Sequence, residues 1–143
     1  MLITGVRGRA FGLGVGLIMR SDIAIAAADA RFALDEVKIG IPPMFIMEQI
    51  LEHLPAKRAI DFILTSREFG ADEALQIGLV SRVVGPDDLD GTMEEFVATL
   101  CSRDRRVVLA CKRYLRAVGK MPPEARSAYA LVEQTQFAMG DSQ

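Results

Sequence analysis

The stretch Gly8–Asp22, GRAFGLGVGLIMRSD, decides how the first part of this chain folds. It places four glycines around an apolar run, a pattern that suits a phosphate-binding loop, a signal peptide or a turn whose backbone amides stabilise an oxyanion. A dinucleotide-binding fingerprint needs glycine where the chain has Leu17, and a P-loop needs a lysine and a hydroxyl that the stretch lacks. A phosphate-binding loop of either kind is therefore disfavoured. Simple close packing of a glycine-bearing helix against a neighbour stays open beside the oxyanion turn.

The signal-peptide interpretation rests on Arg7 and Arg9, which precede the apolar run Ala10–Met19. Arg20 and Asp22 interrupt the junction where a cleavage site would lie, so this interpretation is also disfavoured. The sequence contains no apolar run long enough to span a bilayer. We expect a cytoplasmic protein.

The composition limits the possible partners. The chain has 143 residues, half of them apolar, and a net charge of −2, so it can bury a core but has no excess of basic residues for nucleic acid or an anionic membrane. A small molecule or a protein is the expected partner. The two cysteines, Cys101 and Cys111, and the single histidine, His53, form no metal-binding motif. Both cysteines are predicted to be small buried hydrophobic residues.

Apolar periodicity divides the chain into two parts. Short buried strands are predicted at Leu2–Val6 and Ile23–Ala26, with a helix-length segment between them. Glu36 lies just ahead of a loop containing Gly40 and paired prolines, and the following segments are predicted as helices over 44–54, 55–64 and 71–77 and a strand over 79–84. From Pro86 onward the pattern is helical. We therefore predict a partial α/β core over residues 1–85 and a helical region over 86–143.

Three stretches, taken together, resemble the crotonase superfamily, the enoyl-CoA hydratase/isomerase family. They are VRGRAFGLGVGLIMRSDIAIAAADARFALDEVKIGIPP, LTSREFGADEALQIGLVSRVV and VVLACKRYLR, beginning at Val6, Leu64 and Val107. The resemblance implies an α/β crotonase-like fold, a partial ββα spiral followed by helices that mediate a trimer or a dimer of trimers. It implies the C-terminal half of such a module.

The resemblance also implies a site for an acyl-CoA thioester. In the family, the amide at the middle of three glycines donates to the thioester oxygen, and that position is Leu13, followed by Gly14. Of the family's two catalytic glutamates, the second corresponds to Glu36, whereas the first corresponds to Gly16 and is absent. The implied catalytic positions are Glu36, the Leu13 backbone N–H and Gly14, and the implied substrate-binding positions are Gly12, Gly16 and Pro43. Coenzyme A enters as part of the substrate, and neither a further cofactor nor a metal is implied.

The missing glutamate favours isomerase-like chemistry over hydration. One general acid or base contributes about 10² to 10⁴ in rate, so a site without the first glutamate is not expected to add water efficiently. A single base resembles the arrangement in the family's double-bond isomerases. In the family, the loop after the second glutamate continues from its proline into glycines that shape the water site. Here Pro43 is followed by MFIM, so the resemblance implies a narrower and drier pocket. On composition alone, a solvated loop carboxylate is the alternative interpretation of Glu36.

Three interpretations of the whole chain remain open. We expect that an N-terminal half, with a second oxyanion donor, is missing upstream of Met1. The chain is then either the catalytic half of an acyl-CoA enzyme, in lipid or amino-acid breakdown as the resemblance implies, or an inert remnant with a structural or oligomerising role. A secreted protein is the third interpretation.

Overall fold

The computed structural model describes residues 1–140, which form two compact units. The first unit, Met1–Glu94, carries all six strands of the described chain. They are β1 (Ile3–Val6), β2 (Arg9–Phe11), β3 (Ile23–Ala27), β4 (Arg31–Ala33), β5 (Phe69–Gly70) and β6 (Arg82–Val84).

The strands form two small sheets, and the first four strands alternate between them. One sheet has the order β1-β3-β6 and is parallel throughout. In the other sheet, β2 and β4 are parallel, with Phe11 opposite Ala33, and β5 joins β4 in antiparallel pairing. Each of the first two strand pairs is followed by a helical segment, so the ββα order expected from the resemblance is present.

The helices of the first unit follow the predicted apolar periods closely. They are α1 (Leu13–Arg20), α2 (Met44–His53), α3 (Ala56–Thr65) and α4 (Ala71–Gln76), and short 3₁₀ helices span Glu36–Ile39 and Pro86–Asp88. Pro55 caps α3 instead of being its first residue, and Gly78 has a φ of 80° just beyond the end of α4. The core is centred on three rings: Phe62 meets Phe69 edge-on at 4.5 Å between centroids, and Phe32 stacks on Phe69 at 5.6 Å.

The second unit begins at Glu95, within helix α5 (Leu89–Cys101), and continues through α6 (Arg105–Val118) and α7 (Pro123–Met139). The division falls later than residue 85 because the first turns of α5 pack on the α/β unit. Leu89 is buried, and the side chain of Met93 lies 3.5 Å from the position of a Cβ at Gly5. Residues 141–143 of the predicted helical region lie outside the described residues.

The prediction that Cys101 and Cys111 are buried is wrong. Both thiols are exposed. The apolar stripes of α6 and α7 contain no buried residue, because neither helix has a covering layer within this unit. No helix within residues 1–140 has both the length and the apolar character needed to cross a bilayer.

Candidate active site

The ends of β2 and β4 bring two distant parts of the sequence together. Since the strands are parallel and paired at Phe11 and Ala33, their carboxyl ends meet at one edge of the sheet. The Gly12 N–H donates to the Ala33 carbonyl at 3.0 Å, which fixes the turn before α1 against the end of β4. Glu36, three residues beyond Ala33, therefore lies next to that turn.

Gly12 makes this close approach possible. Its φ of 49° and ψ of −115° belong to a region that side chains rarely adopt. A Cβ at this position would lie 2.7 Å from Glu36 Oε1, closer than real contacts allow. The backbone conformation thus requires glycine here, and a Cβ would also displace the Glu36 carboxylate.

The first turn of α1 presents backbone amides beside this carboxylate. The first hydrogen bond of the helix runs from the Gly16 N–H to the Gly12 carbonyl, at 3.2 Å. The amides of Leu13 and Gly14 precede it and so have no acceptor within the helix, and no side chain caps them. The side chain of Leu13 is 74% exposed, so a leucine is accommodated at the predicted donor position without filling the turn.

Glu36 is half-buried at the start of the 3₁₀ helix. Among the described residues, its Oε2 atom is enclosed and has no hydrogen-bond partner. A buried carboxylate oxygen without a partner costs folding free energy, and such atoms concentrate where a ligand or a reaction uses them. This geometry argues against the solvated loop carboxylate.

The remaining predicted positions, Gly16 and Pro43, are buried. A Cβ at Gly16 would lie 3.6 Å from Ile46 Cγ1, so α1 and α2 approach closely there. Pro43 caps α2, and its carbonyl accepts from the Ile46 N–H at 3.0 Å. Because such a Cβ would make only an ordinary van der Waals contact, helix packing does not require glycine at position 16. Contact of Gly16 or Pro43 with a substrate stays a prediction.

A charged cluster outside this site joins α3 to α4. Arg67 donates to Asp61 at 2.8 Å and to both carboxylate oxygens of Glu73. These hydrogen bonds raise the pKa of Arg67 and lower the pKa of Glu73. Since the cluster is fully ion-paired, we assign it to stability.

The second unit contains a groove of about 350 Å³ between α6 and α7. Stacked Tyr114 and Tyr129, 5.6 Å between centroids, and an ion pair of Arg113 with Glu133 at 3.0 Å hold the two helices together. The groove lining is mainly apolar and includes none of the predicted site residues: Val107, Ala110, Cys111, Tyr114, Ala130, Glu133, Gln134 and Phe137.

Comparison with known proteins identifies the family to which this arrangement belongs. The family model described as enoyl-CoA hydratase/isomerase matches residues 1–140. The chain belongs to the enoyl-CoA hydratase/isomerase family. A carnitinyl-CoA dehydratase of Escherichia coli O157:H7 is 33% identical over 129 residues, which cover 90% of this chain and 49% of that protein.

Solved structures of the family share the fold. A Thermobifida fusca protein in complex with acetoacetyl-CoA superposes with a TM-score of 0.89 at 29% identity and covers 96% of this chain and 55% of its own. An enoyl-CoA hydratase of Mycobacterium smegmatis gives 0.87 at 28% identity, with 94% and 52% covered. The chain therefore spans about half the length of the relatives it matches.

Two elements of the site were missed by sequence reasoning. β2 and β4 are three residues each, too short for an apolar alternation to indicate a strand. The sequence predicts Ile46 within a helix but not its contact with α1 at Gly16. Its helical spacing from Ile50, also buried, places both on the core face of α2, a signal that could have placed it opposite α1.

Proposed function

We propose that this chain carries the thioester-binding turn and the single base of an acyl-CoA enzyme that moves a proton between carbons. The observation that carries the proposal is the Glu36 carboxylate seated against Gly12 at the start of α1, with Oε2 enclosed and without a partner. A base beside backbone donors is the arrangement needed to form and stabilise an enolate. The acetoacetyl-CoA bound by the Thermobifida fusca relative supports the ligand class.

The reaction is the isomerisation of a β,γ-unsaturated acyl-CoA to its α,β-unsaturated form. Glu36 takes a proton from the α-carbon, and the C–H electron pair moves into the thioester to form a dienolate. The amides of Leu13 and Gly14 stabilise the negative oxygen in that intermediate. Protonation at the γ-carbon by the same carboxyl group then leaves the double bond between the α- and β-carbons. No water is consumed, in keeping with the absence of a carboxylate at Gly16.

The test replaces Glu36 with a residue of nearly the same shape that cannot act as a base. Glu36→Gln lowers the isomerisation rate by about 10² to 10⁴, because an amide cannot accept the α-proton. Glu48→Gln, an exposed carboxylate on α2, is the matched control and keeps the wild-type rate. Rates are followed by the ultraviolet absorbance of the conjugated thioester. Equal rates in wild type and Glu36→Gln would remove the base from the proposal.

A second candidate is a structural or oligomerising role without catalytic activity. One observation favours it. The chain spans about half the length of the relatives it matches. Isothermal titration calorimetry with an acyl-CoA separates the two. Binding heat supports the enzyme, and heat equal to that of dilution supports the inert piece.

A further inference from the structure

The groove between α6 and α7 is a space that a small ligand can occupy. Its volume of about 350 Å³ lies within the range of about 300–1,000 Å³ that is typical of small-molecule pockets. Apolar side chains line most of it, among them Val107, Ala110, Ala130 and Phe137. An alkyl chain that covers these side chains removes hydrocarbon from water on both sides of the contact, which favours binding.

The charges around the groove favour an anion over a cation. Helix α6 has five basic residues and no acidic residue. Among the described residues that line the groove, the acidic one is Glu133, and Arg113 donates to its Oε2 atom at 3.0 and 3.2 Å. A cationic ligand would therefore have to compete with Arg113 for this carboxylate.

Arg106 places a second guanidinium beside the groove. It lies 5.3 Å from the centre of the Phe137 ring, and Phe137 is part of the groove lining. Arg106 is exposed, and no carboxylate within residues 1–140 forms an ion pair with its guanidinium. A guanidinium presents parallel N–H donors that match the two oxygens of one carboxylate. The apolar groove and this donor together suit a molecule with an alkyl chain and one carboxylate.

We propose that the groove between α6 and α7 binds a fatty-acid anion, with the alkyl chain along the groove and the carboxylate on Arg106. The stacked rings of Tyr114 and Tyr129 and the ion pair of Arg113 with Glu133 hold the two helices together beside this space. The site is built from the second unit and does not depend on the acyl-CoA chemistry proposed for the first.

The two cysteines provide a reporter and its control. Cys111 lines the groove, Cys101 is not part of its lining, and both thiols are exposed. The experiment labels the whole chain with N-ethylmaleimide in the presence and absence of decanoate, and peptide mass spectrometry gives the labelling rate at each cysteine. We expect saturating decanoate to slow the labelling of Cys111 severalfold and to leave the rate at Cys101 unchanged.

Two further probes separate the contributions of the alkyl chain and the charge. Acetate has the carboxylate without the alkyl chain, and decylammonium has a chain of the same length with the opposite charge. We expect neither to protect Cys111 at the concentrations at which decanoate does, because each lacks one of the two proposed contacts.

A matched pair of variants tests the carboxylate contact. Arg106→Gln should raise the decanoate concentration that gives half-maximal protection by about twofold to fivefold, the usual effect of one exposed ion pair. Arg105→Gln removes the same charge from another exposed position in the first turn of α6 and should keep the wild-type value. Ala130→Leu adds hydrocarbon to the groove lining and should abolish the protection. Circular dichroism checks that each variant keeps its helices.

Equal labelling of Cys111 with and without decanoate would overturn the inference, and so would equal protection by decylammonium. The same half-maximal concentration in Arg106→Gln and Arg105→Gln would remove the carboxylate contact and with it the choice of an anion. Protection of Cys111 that rises with protein concentration and does not respond to decanoate would also overturn the inference, because it would assign the groove to a contact between copies of this chain.

Discussion

At the scale of single residues, the site depends on Gly12. Its positive φ requires glycine, and a Cβ there would lie 2.7 Å from Glu36 Oε1 and displace that carboxylate. Leu13, directly after it, shows the opposite case: a bulky residue is accepted because its side chain is 74% exposed. Side-chain identity in this turn is therefore restricted at Gly12 and free at Leu13.

Gly12→Ala is expected to lower the free energy of unfolding by about 1–3 kcal/mol from backbone strain, with a further loss from the contact with Glu36. The matched control is Gly8→Ala, whose φ is 66° but whose Cβ would meet nothing within 4 Å. Urea denaturation of both variants compares the cost at Gly12 with the cost at a positive-φ glycine that has open space around it. If both changes cost the same, the expectation of a larger loss at Gly12 is wrong.

The backbone donor can be removed at Leu13 without removing the helix. Proline is tolerated at the first position of an α-helix and has no N–H, so Leu13→Pro deletes the proposed donor. We expect it to lower the isomerisation rate by about 10² to 10³, the usual effect of losing one oxyanion donor. Leu13→Ala keeps the N–H and the rate. Circular dichroism checks the helix, and equal rates in the two variants would argue against a Leu13 donor.

At the scale of elements, α3 and α4 are joined through Arg67. Its guanidinium bridges Asp61 on α3 and Glu73 on α4 and also lies 5.7 Å from the centre of the Phe69 ring. The hydrogen bonds from Arg67, more than the Coulomb attraction, lower the pKa of Glu73 in the folded state. The connection between the two helices is therefore sensitive to acid.

The sign of the pH dependence follows from that shift. Because the pKa of Glu73 is lower when folded than its ordinary 4.5, the unfolded chain takes up the proton first as the pH falls. The stabilisation is present above pH 4.5 and is lost as the pH falls through the folded pKa. We expect urea denaturation to show that the free energy of unfolding falls between neutral and acidic pH. This fall should be smaller in Glu73→Gln. Glu48→Gln serves as the control and should keep the wild-type pH dependence. If Glu73→Gln shows that same pH dependence, the assignment of the acid-sensitive stabilisation to Glu73 is wrong.

At the scale of the whole molecule, the two units differ in how they bury apolar surface. The α/β unit encloses its core, whereas α6 and α7 contain no buried residue and leave large apolar side chains in solvent, including Leu115 and Leu131 at 66% and 69% exposure. Exposed apolar side chains on paired helices are typical of surfaces that bind another chain. We propose that copies of this chain associate through the second unit, as a trimer or a dimer of trimers.

Sedimentation velocity tests the association. Wild type is expected at a multiple of the chain mass, and Leu131→Glu is expected to shift it toward the monomer, because a carboxylate would have to be buried in an apolar interface. Arg105→Gln, an exposed substitution on α6, should leave the distribution unchanged. A monomeric wild type at micromolar concentration would refute self-association.

The sequence by itself determined the helices of the first unit and the glycine turn, because helical periods and glycine spacing are local properties of the chain. It could not determine that Glu36 reaches Gly12, since that contact depends on the pairing of β2 with β4, two strands too short to leave a pattern. Nor could it show that the cysteines are exposed or that Ile46 fills the space beside Gly16. Burial depends on which elements cover one another, so only the tertiary structure decided these features.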